Sequence, residues 1–470
     1  MAKTFLSMVT IGGCSFKGEQ GFEVINPATE LPFASAPLCG EQELEDAVSS
    51  AQTAFPKWAA SERDRRAALH ACANSIAANS DELARLITFE QGKPLNEAVS
   101  EVAYAVEVLN EYAILKVPSV DLSLSPKTRS LLLNRPFGIV GLMTPWNFPL
   151  GTIAVKLAPA LLAGNVVILK PSPNAPLSPL LLGKLLNKIL PAGVLNTLSG
   201  SKELGEAIAR HPKIRKLSVT GSISTGKSIL KNAASEIKSV TLELGGNDPA
   251  IVLADCDPKT IANNLLDSAW RNAGQVCSAI KRVYVHESIY QKLLVALSEQ
   301  IPNYIVGNGL TEGVRIGPLT TESSLRRANG ILESVSRSGA KSLRNSQSKQ
   351  DSGFFVAPSI VYDIDPLHPL VLEEQFAPIL PIISYQTIDQ AIEWSNQTNY
   401  GLSASVWTSN PSIGYEIAAQ IECGRVGING HRRAKPSAPF GGFKHSGIGR
   451  ELGIWGLSEM CETQVVNIFR

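Results

Sequence analysis

Residues 166–246 read VVILKPSPNAPLSPLLLGKLLNKILPAGVLNTLSGSKELGEAIARHPKIRKLSVTGSISTGKSILKNAASEIKSVTLELGG. Four short apolar runs stand out: Val166–Leu169, Val194–Leu198, Lys216–Thr220 and Ser239–Glu243. Between them lie helical segments, Leu177–Ile189, Glu203–Arg210 and Ser224–Ala234. Strands alternating with helices predict parallel βαβ units with helices on both faces of a sheet. No G-x-G-x-x-G follows any of these strands and no P-loop occurs, so a dinucleotide would have to be held by other means. Thr220-Gly221-Ser222 ends a strand and opens a helix, with Gly226 in its first turns. The free N–H groups and dipole of such a helix start suit a pyrophosphate, although the same junction serves as a plain connector in many folds.

Outward from this stretch the pattern continues. On the C-terminal side a second α/β region is predicted from Ala250–Leu253, a helix Ile261–Asn272, a strand Arg282–Val285 and a helix Tyr290–Ile301. On the N-terminal side Glu41 to Ala113 is helical, with apolar residues at three- and four-residue spacings through Ala47, Ala51, Phe55 and Trp58. Arg129–Leu133 alternates like a strand and suggests a protruding arm; Gln464–Phe469 is likewise β-prone. Phe137–Val155 runs nineteen residues without a charge, long enough for a bilayer. Pro145 and Pro149 would break a helix there, and Asn147 would need a partner. A buried strand, Gly138–Thr144, ending in a shaped loop is the better reading, with no membrane segment.

The 470 residues imply two or three domains. Lys plus Arg is 43 against 42 Asp plus Glu, a balance that argues against a nucleic-acid or polybasic membrane binder. Seven scattered cysteines form no C-x-x-C pair, so neither a disulfide framework nor a metal site is expected, and a reducing cytoplasm is the natural compartment. The N-terminus, with Lys3 and an apolar Phe5–Gly13, is a poor signal peptide because no small-residue cleavage pattern closes it.

Three segments carry chemistry. Asn272-Ala273-Gly274-Gln275-Val276-Cys277 sets a cysteine after a glycine turn, where a thiol is either a nucleophile or a small buried hydrophobe. Leu242-Glu243-Leu244-Gly245-Gly246 ends an apolar strand on a carboxylate, a general base if burial raises its pKa and a solvated strand end if not. Thr144-Pro145-Trp146-Asn147-Phe148-Pro149 presents an amide on a proline-locked loop, an oxyanion donor or a simple turn residue.

Together with Lys170-Pro171-Ser172, Thr220-Gly221-Ser222, Glu373-Glu374-Gln375-Phe376 and Pro439-Phe440-Gly441-Gly442, these segments resemble the aldehyde dehydrogenase superfamily in order and spacing. Asn-Pro-Ala-Thr at 26–29, Asn399-Tyr400-Gly401-Leu402 and Ser446-Gly447-Ile448-Gly449-Arg450-Glu451 extend the resemblance over nearly the whole chain. It implies an α/β fold in three parts. These are a Rossmann-like NAD(P)-binding domain (1–117 and 137–245), an α/β catalytic domain (246–445), and a small β oligomerisation arm with the tail (118–136 and 446–470). A homodimer or homotetramer would follow, since exposed arm edges demand a partner.

The resemblance further implies that Cys277 attacks an aldehyde, with the oxyanion held by the Asn147 amide and the Cys277 N–H. Hydride would pass to the nicotinamide, and Glu243 would activate the water that hydrolyses the thioester. Lys156 and Glu451 match positions of a proton path, although Lys156 also reads as a helix-surface or snorkelling lysine. For NAD or NADP it assigns Lys170 to the adenine ribose, Ser222 with Gly221 to the pyrophosphate, and Glu374 to the nicotinamide ribose. Ser172 belongs to the same cofactor motif; Phe376 and Trp146 pack around the nicotinamide site. Where many NAD-preferring members carry a Glu three residues after the Lys, this chain has Pro173, which removes one NAD contact and one barrier to a 2′-phosphate.

Arg271 stands where succinate-semialdehyde dehydrogenases carry the arginine that binds the distal carboxylate, and a guanidinium fork suits that group. Their second arginine falls here at Val155, and their C-terminal-loop serine at Lys435. The loop His431-Arg432-Arg433-Ala434-Lys435 is cationic, so Arg271 and Lys435 are the candidate substrate contacts and a small anionic aldehyde is the leading expectation. Neutral or aromatic aldehydes, a CoA-acylating enzyme, a non-catalytic relative and a cofactor-free cysteine hydrolase are the alternatives. The acylating reading is disfavoured by Glu243, the non-catalytic one by the intact Cys–Asn–Glu set. The hydrolase would need a histidine partner for Cys277 that the six histidines do not offer in sequence.

Overall fold

The stretch that alternates in sequence forms four parallel strands, and Ile139–Thr144 ahead of it makes a fifth. They lie in the order Ser239–Glu243, Ile214–Thr220, Ile139–Thr144, Val166–Pro171, Leu195–Thr197. The computed structural model describes residues 5–6, 8–18, 20–123, 128–345, 352–431 and 435–469. Ile139–Thr144 and Val166–Pro171 are buried at every position, which is why their sequences are continuous apolar runs rather than alternating ones. Antiparallel additions finish the sheet: Gly447–Ile448 beside Ser239–Glu243, and the hairpin of Val9–Ile11 and Cys14–Phe16 beyond Leu195–Thr197. The chain winds one way from Ile139–Thr144 and then crosses back to Ile214–Thr220. Ligands of open α/β sheets lie at the carboxyl ends of two strands related in this way. Here those ends are Thr144 and Thr220.

The apolar stretch 137–155 is the strand Ile139–Thr144, the loop 145–148, and the start of a helix, Pro149–Ala163. Proline at the first helical position costs no hydrogen bond, so Pro149 begins this helix rather than breaking it. No helix among the described residues is long and apolar enough to cross a membrane.

A second, seven-stranded sheet runs in the order Lys341–Arg344, Ser359–Tyr362, Ile379–Tyr385, Ile280–His286, Asp248–Val252, Ser403–Trp407, Arg425–Ile428. All neighbours are parallel except the first pair. Each large sheet has its own hydrophobic core. The arm is a separate three-stranded sheet. Cys461–Phe469 pairs antiparallel with Thr128–Pro136 over its full length, Cys461 opposite Pro136 and Phe469 opposite Thr128, and Ser119–Asp121 forms the outer strand. Val120, Val465, Ile468 and Phe469 are exposed on it.

One predicted element ends early. The helix expected to reach Asn272 stops at Trp270. Arg271–Gly274 is a tight turn in which Asn272 and Ala273 both take positive φ, 52° and 53°, and Gly274 follows at 74°. A helix cannot propagate through left-handed residues.

Candidate active site

Two cavities meet at Cys277. The first, about 710 Å³, lies over the carboxyl ends of the first sheet, between Thr144–Asn147, Lys170–Asn174, Thr220–Thr225 and Glu374–Phe376. The second, about 400 Å³, lies on the other side and is lined by Phe148, Val155, Glu243, Arg271, His431 and Glu451 among others. Among the described residues, Cys277 and Thr220 are the only lining residues the two share.

The turn at 271–277 is shaped to bring the thiol there. A Cβ on Gly274 would come within 2.4 Å of the Ala377 carbonyl oxygen, so only glycine permits that crossing. On the far side, a Cβ on Gly246 would sit 2.5 Å from the Cys277 carbonyl oxygen, so Gly246 lets the chain leading into the strand Asp248–Val252 pass directly under Cys277. Gln275 fixes the turn by donating to the carbonyls of Asn272 (3.1 Å) and Pro318 (3.4 Å) and accepting from Thr320 N–H (3.0 Å). Burial pushes the Cys277 thiol up to about 12, with the Lys281 charge acting downward and the Glu374, Asp248 and Glu243 charges upward.

Asn147 is buried, and its Nδ2 donates to the Gln275 carbonyl at 2.9 Å, which places the amide against the turn that carries Cys277. Its own carbonyl accepts from Lys93 Nζ (2.7 Å) and Asn272 Nδ2 (3.0 Å). Lys93 is itself fully buried, bonds Glu101 at 2.6 Å and stands 3.9 Å from the centre of the Phe148 ring. Glu101 completes the clamp by accepting from the Leu150 and Gly151 N–H groups at the start of the helix Pro149–Ala163. The sequence reading missed Lys93 and Glu101. Nothing in their spacing from Asn147 marks them, because the contact spans 54 residues.

Glu243 is 3% exposed, and among the described residues neither carboxylate oxygen has a hydrogen-bond partner. Burial holds its pKa well above the carboxylate range; the Glu451 charge adds to this, while Lys156 and Arg450 oppose it. It is not a solvated strand end. Lys156 is completely buried and paired with Glu451; Ser218 Oγ bonds Lys156 at 3.2 Å and Glu451 at 3.3 Å. The surface reading of Lys156 is thereby excluded.

The cofactor candidates share the first cavity. Trp146, Lys170, Ser172, Gly221, Ser222, Glu374 and Phe376 all line it. Ser222 is the N-cap of the helix Ile223–Ala233, accepting from Thr225 N–H at 3.2 Å, so the helix start opens onto the cleft. Lys170 is buried, and desolvation lowers its ammonium to about 8. Trp146 and Phe376 meet edge to face at 5.6 Å. Glu374 touches Gly246 N–H at 3.2 Å, and a Cβ on Gly245 would lie 2.5 Å from its other oxygen. A cation, a helix N-terminus, a carboxylate and an aromatic pair along one cleft fit a dinucleotide. Pro173 is exposed on the same wall, with Lys202 nearby.

The substrate candidates separate. Arg271 lines the second cavity, 5.1 Å over the Phe148 ring, and its side chain makes no hydrogen bond or ion pair among the described residues. Lys435 does not join it. The lysine is exposed and lines neither cavity, because the chain turns at Lys435–Ala438 with Pro436 facing inward. Arg432 and Arg433 lie outside the described residues. His431, from the same loop, does reach the cavity; its Nε2 donates to the Ser278 carbonyl at 2.8 Å and stands 3.4 Å from Asp248. It is the histidine near Cys277 that linear spacing could not reveal, 154 residues away, and its N–H is spent on backbone. Among the described residues no group of three His, Cys, Asp or Glu side chains could hold a metal.

The aldehyde dehydrogenase family profile matches residues 15–466. The chain is 35% identical to the glutarate-semialdehyde dehydrogenase of Pseudomonas putida, over 99% of this chain and 98% of that one. It is also 35% identical to the probable succinate-semialdehyde dehydrogenase [NADP(+)] of Sinorhizobium fredii, over 94% and 92%. Among solved structures, the NAD+ complex of an aldehyde dehydrogenase from Bacillus cereus superposes with a TM-score of 0.95 at 34% identity, covering 98% of this chain and 96% of that chain. The chain belongs to the aldehyde dehydrogenase family, as an NAD(P)-dependent enzyme.

Proposed function

We propose that the protein oxidises a small anionic aldehyde, of the succinate-semialdehyde kind, to the carboxylic acid. The observation that carries this is Arg271, a guanidinium without a hydrogen-bond or ion-pair partner among the described residues, in the wall of the cavity that ends at Cys277. Relatives named for succinate and glutarate semialdehyde support it. The residue in the place of the second arginine is Val155, which lines the same cavity, so the carboxylate has one fork rather than two.

The cysteine thiolate adds to the aldehyde carbon, and the oxyanion that forms is met by the Asn147 amide and the Cys277 N–H. NAD(P), when bound in the cleft, supplies the hydride acceptor. The resulting thioester is hydrolysed by water that Glu243 deprotonates, and Glu243 is poised for this by having no competing hydrogen bond. Lys156 and Glu451 stand behind it as the route by which its proton leaves. The cofactor is held by Lys170, Ser172, Gly221, Ser222 and Glu374, between Trp146 and Phe376. Pro173 puts no carboxylate at the position that would repel a 2′-phosphate, and Lys202, paired with Glu206 at 3.3 Å on the same wall, adds a cation to that edge of the cleft, so NADP is used at least as well as NAD. The first sheet and its helices form the cofactor domain, the second the catalytic domain, and the arm the subunit contact in a cytoplasmic homo-oligomer.

Initial rates with succinate semialdehyde and an uncharged aldehyde of equal length test the reading. Cys277→Ala should lose activity on both. Arg271→Ala should lower kcat/KM for the acid aldehyde about 10–100-fold and leave the neutral one within about twofold, the scale of a lost charge-assisted bond. Equal loss on both would make Arg271 structural and turn the search to neutral aldehydes. In the same assay Pro173→Glu should reduce kcat/KM for NADP about tenfold or more while sparing NAD; an unchanged ratio would refute the assignment of this edge of the cleft.

A further inference from the structure

Lys281 has no part in the chemistry described above, yet it is 1% exposed and lies between the two halves of the site. It is on the strand Ile280–His286, four residues after the nucleophile. Its ammonium donates to the Val276 carbonyl and, at 3.4 Å, to that of Cys277. It stands 3.9 Å from Glu374 and 5.5 Å from the centre of the Phe376 ring. Its own backbone is pinned by Gln375, whose Nε2 donates to the Lys281 carbonyl at 2.9 Å. The next residue, Arg282, is buried too, but it binds the backbone carbonyls of Asn247, Trp394 and Ser395 and so stitches the sheet to its surroundings. A buried ammonium is costly unless it is paired and hydrogen-bonded, and the partners of Lys281 are the nucleophile turn on one side and the cofactor cleft on the other.

We propose that Lys281 is a positioning residue that joins these two: it fixes the carbonyls flanking Cys277 and neutralises Glu374, so that the thiolate forms without facing an uncompensated carboxylate. The charged groups acting on Cys277 are Lys281 and Arg425 on the positive side and Glu374, Asp248 and Glu243 on the negative side, with His431 bonded to the adjacent Ser278 carbonyl. Three carboxyl groups face two cationic side chains there, so one lost ammonium has a direct effect on thiolate formation. The inference rests on the reading of Cys277 as nucleophile and Glu374 as part of the cofactor cleft, but its test needs neither aldehyde nor cofactor.

The test is the pH dependence of Cys277 labelling by iodoacetamide in the full chain, read by peptide mass spectrometry with Cys277→Ala as blank. Lys281→Met should move the labelling midpoint upward by about one pH unit, about tenfold slower labelling below it. Lys281→Arg should keep the wild-type profile. Adding Glu374→Gln to Lys281→Met should bring the midpoint back down, because the uncompensated carboxylate is then gone. If the methionine variant fails to fold, Lys281→Gln, which retains a donor for the two carbonyls, should show the same upward shift and the same rescue. An unshifted midpoint in the folded neutral variant, or a shift that Glu374→Gln leaves in place, overturns the proposal. Loss of aldehyde oxidation with normal labelling would instead count against the proposed function.

Discussion

Glu243 shows how much depends on what a single side chain is denied. A strand-end carboxylate is ordinarily solvated; here it is buried, unbonded and next to the charge of Glu451, so it is held in its neutral form to higher pH. The sign for turnover follows. A base works only when deprotonated, so thioester hydrolysis should speed up as pH rises through the raised Glu243 pKa and then level off. Glu243→Gln should leave the first turnover visible as a burst of reduced cofactor and slow the steady state by about 10²–10⁴-fold, the range of a lost general base. A steady-state rate within threefold of wild type, or no burst, would move the base elsewhere. Residue identity at Cys277, Asn147 and Glu243 was legible in the sequence because each sits in a short motif with its own glycines or prolines. Lys93, Glu101 and His431 were not legible, since their contacts with those motifs are long-range and a lone lysine or histidine carries no local signature.

At the scale of elements, the alternation of strand and helix patterns in 166–243 was legible, most clearly at Val166–Pro171, where a fully buried parallel strand leaves a near-continuous apolar record. The end of the helix before Arg271 was hidden for a different reason. Asn272 takes left-handed backbone readily, but Ala273 does not announce such a turn, and the bonds of Asn272 with Gln91, Glu97 and Gln275 hold the turn there. The loop 145–148 is held in a comparable way by the Lys93–Glu101 pair, which joins it to the helix Leu95–Ile114 and to the start of Pro149–Ala163. Breaking a buried pair by removing one partner costs about 3–5 kcal/mol. Lys93→Met should therefore lower the unfolding midpoint in urea by that equivalent, and in whatever fraction stays folded kcat should fall more than KM changes. A variant with full stability and full kcat would show that the clamp is dispensable.

The whole molecule is two cores and an arm. The arm pairs strands more than 300 residues apart, Thr128–Pro136 with Cys461–Phe469, and carries Val465, Ile468 and Phe469 on its surface. Alternation at Arg129–Leu133 and the β-prone Gln464–Phe469 marked part of each strand, while their mutual register only emerged from the fold. An exposed apolar edge of this kind is stable in solution when covered by another subunit. If the arm is the subunit contact, as proposed, removing residues 461–470 should lower the mass to that of a monomer in sedimentation or light scattering; an unchanged mass would refute that assignment.

The meeting of the two cavities at Cys277 and Thr220 alone has an evolutionary corollary. On the proposed function, the side chains that would discriminate between dinucleotides line one chamber and those that would discriminate between aldehydes line the other. The two preferences are therefore free to drift separately, and grafting a new aldehyde chamber onto this chain would leave its coenzyme habit intact.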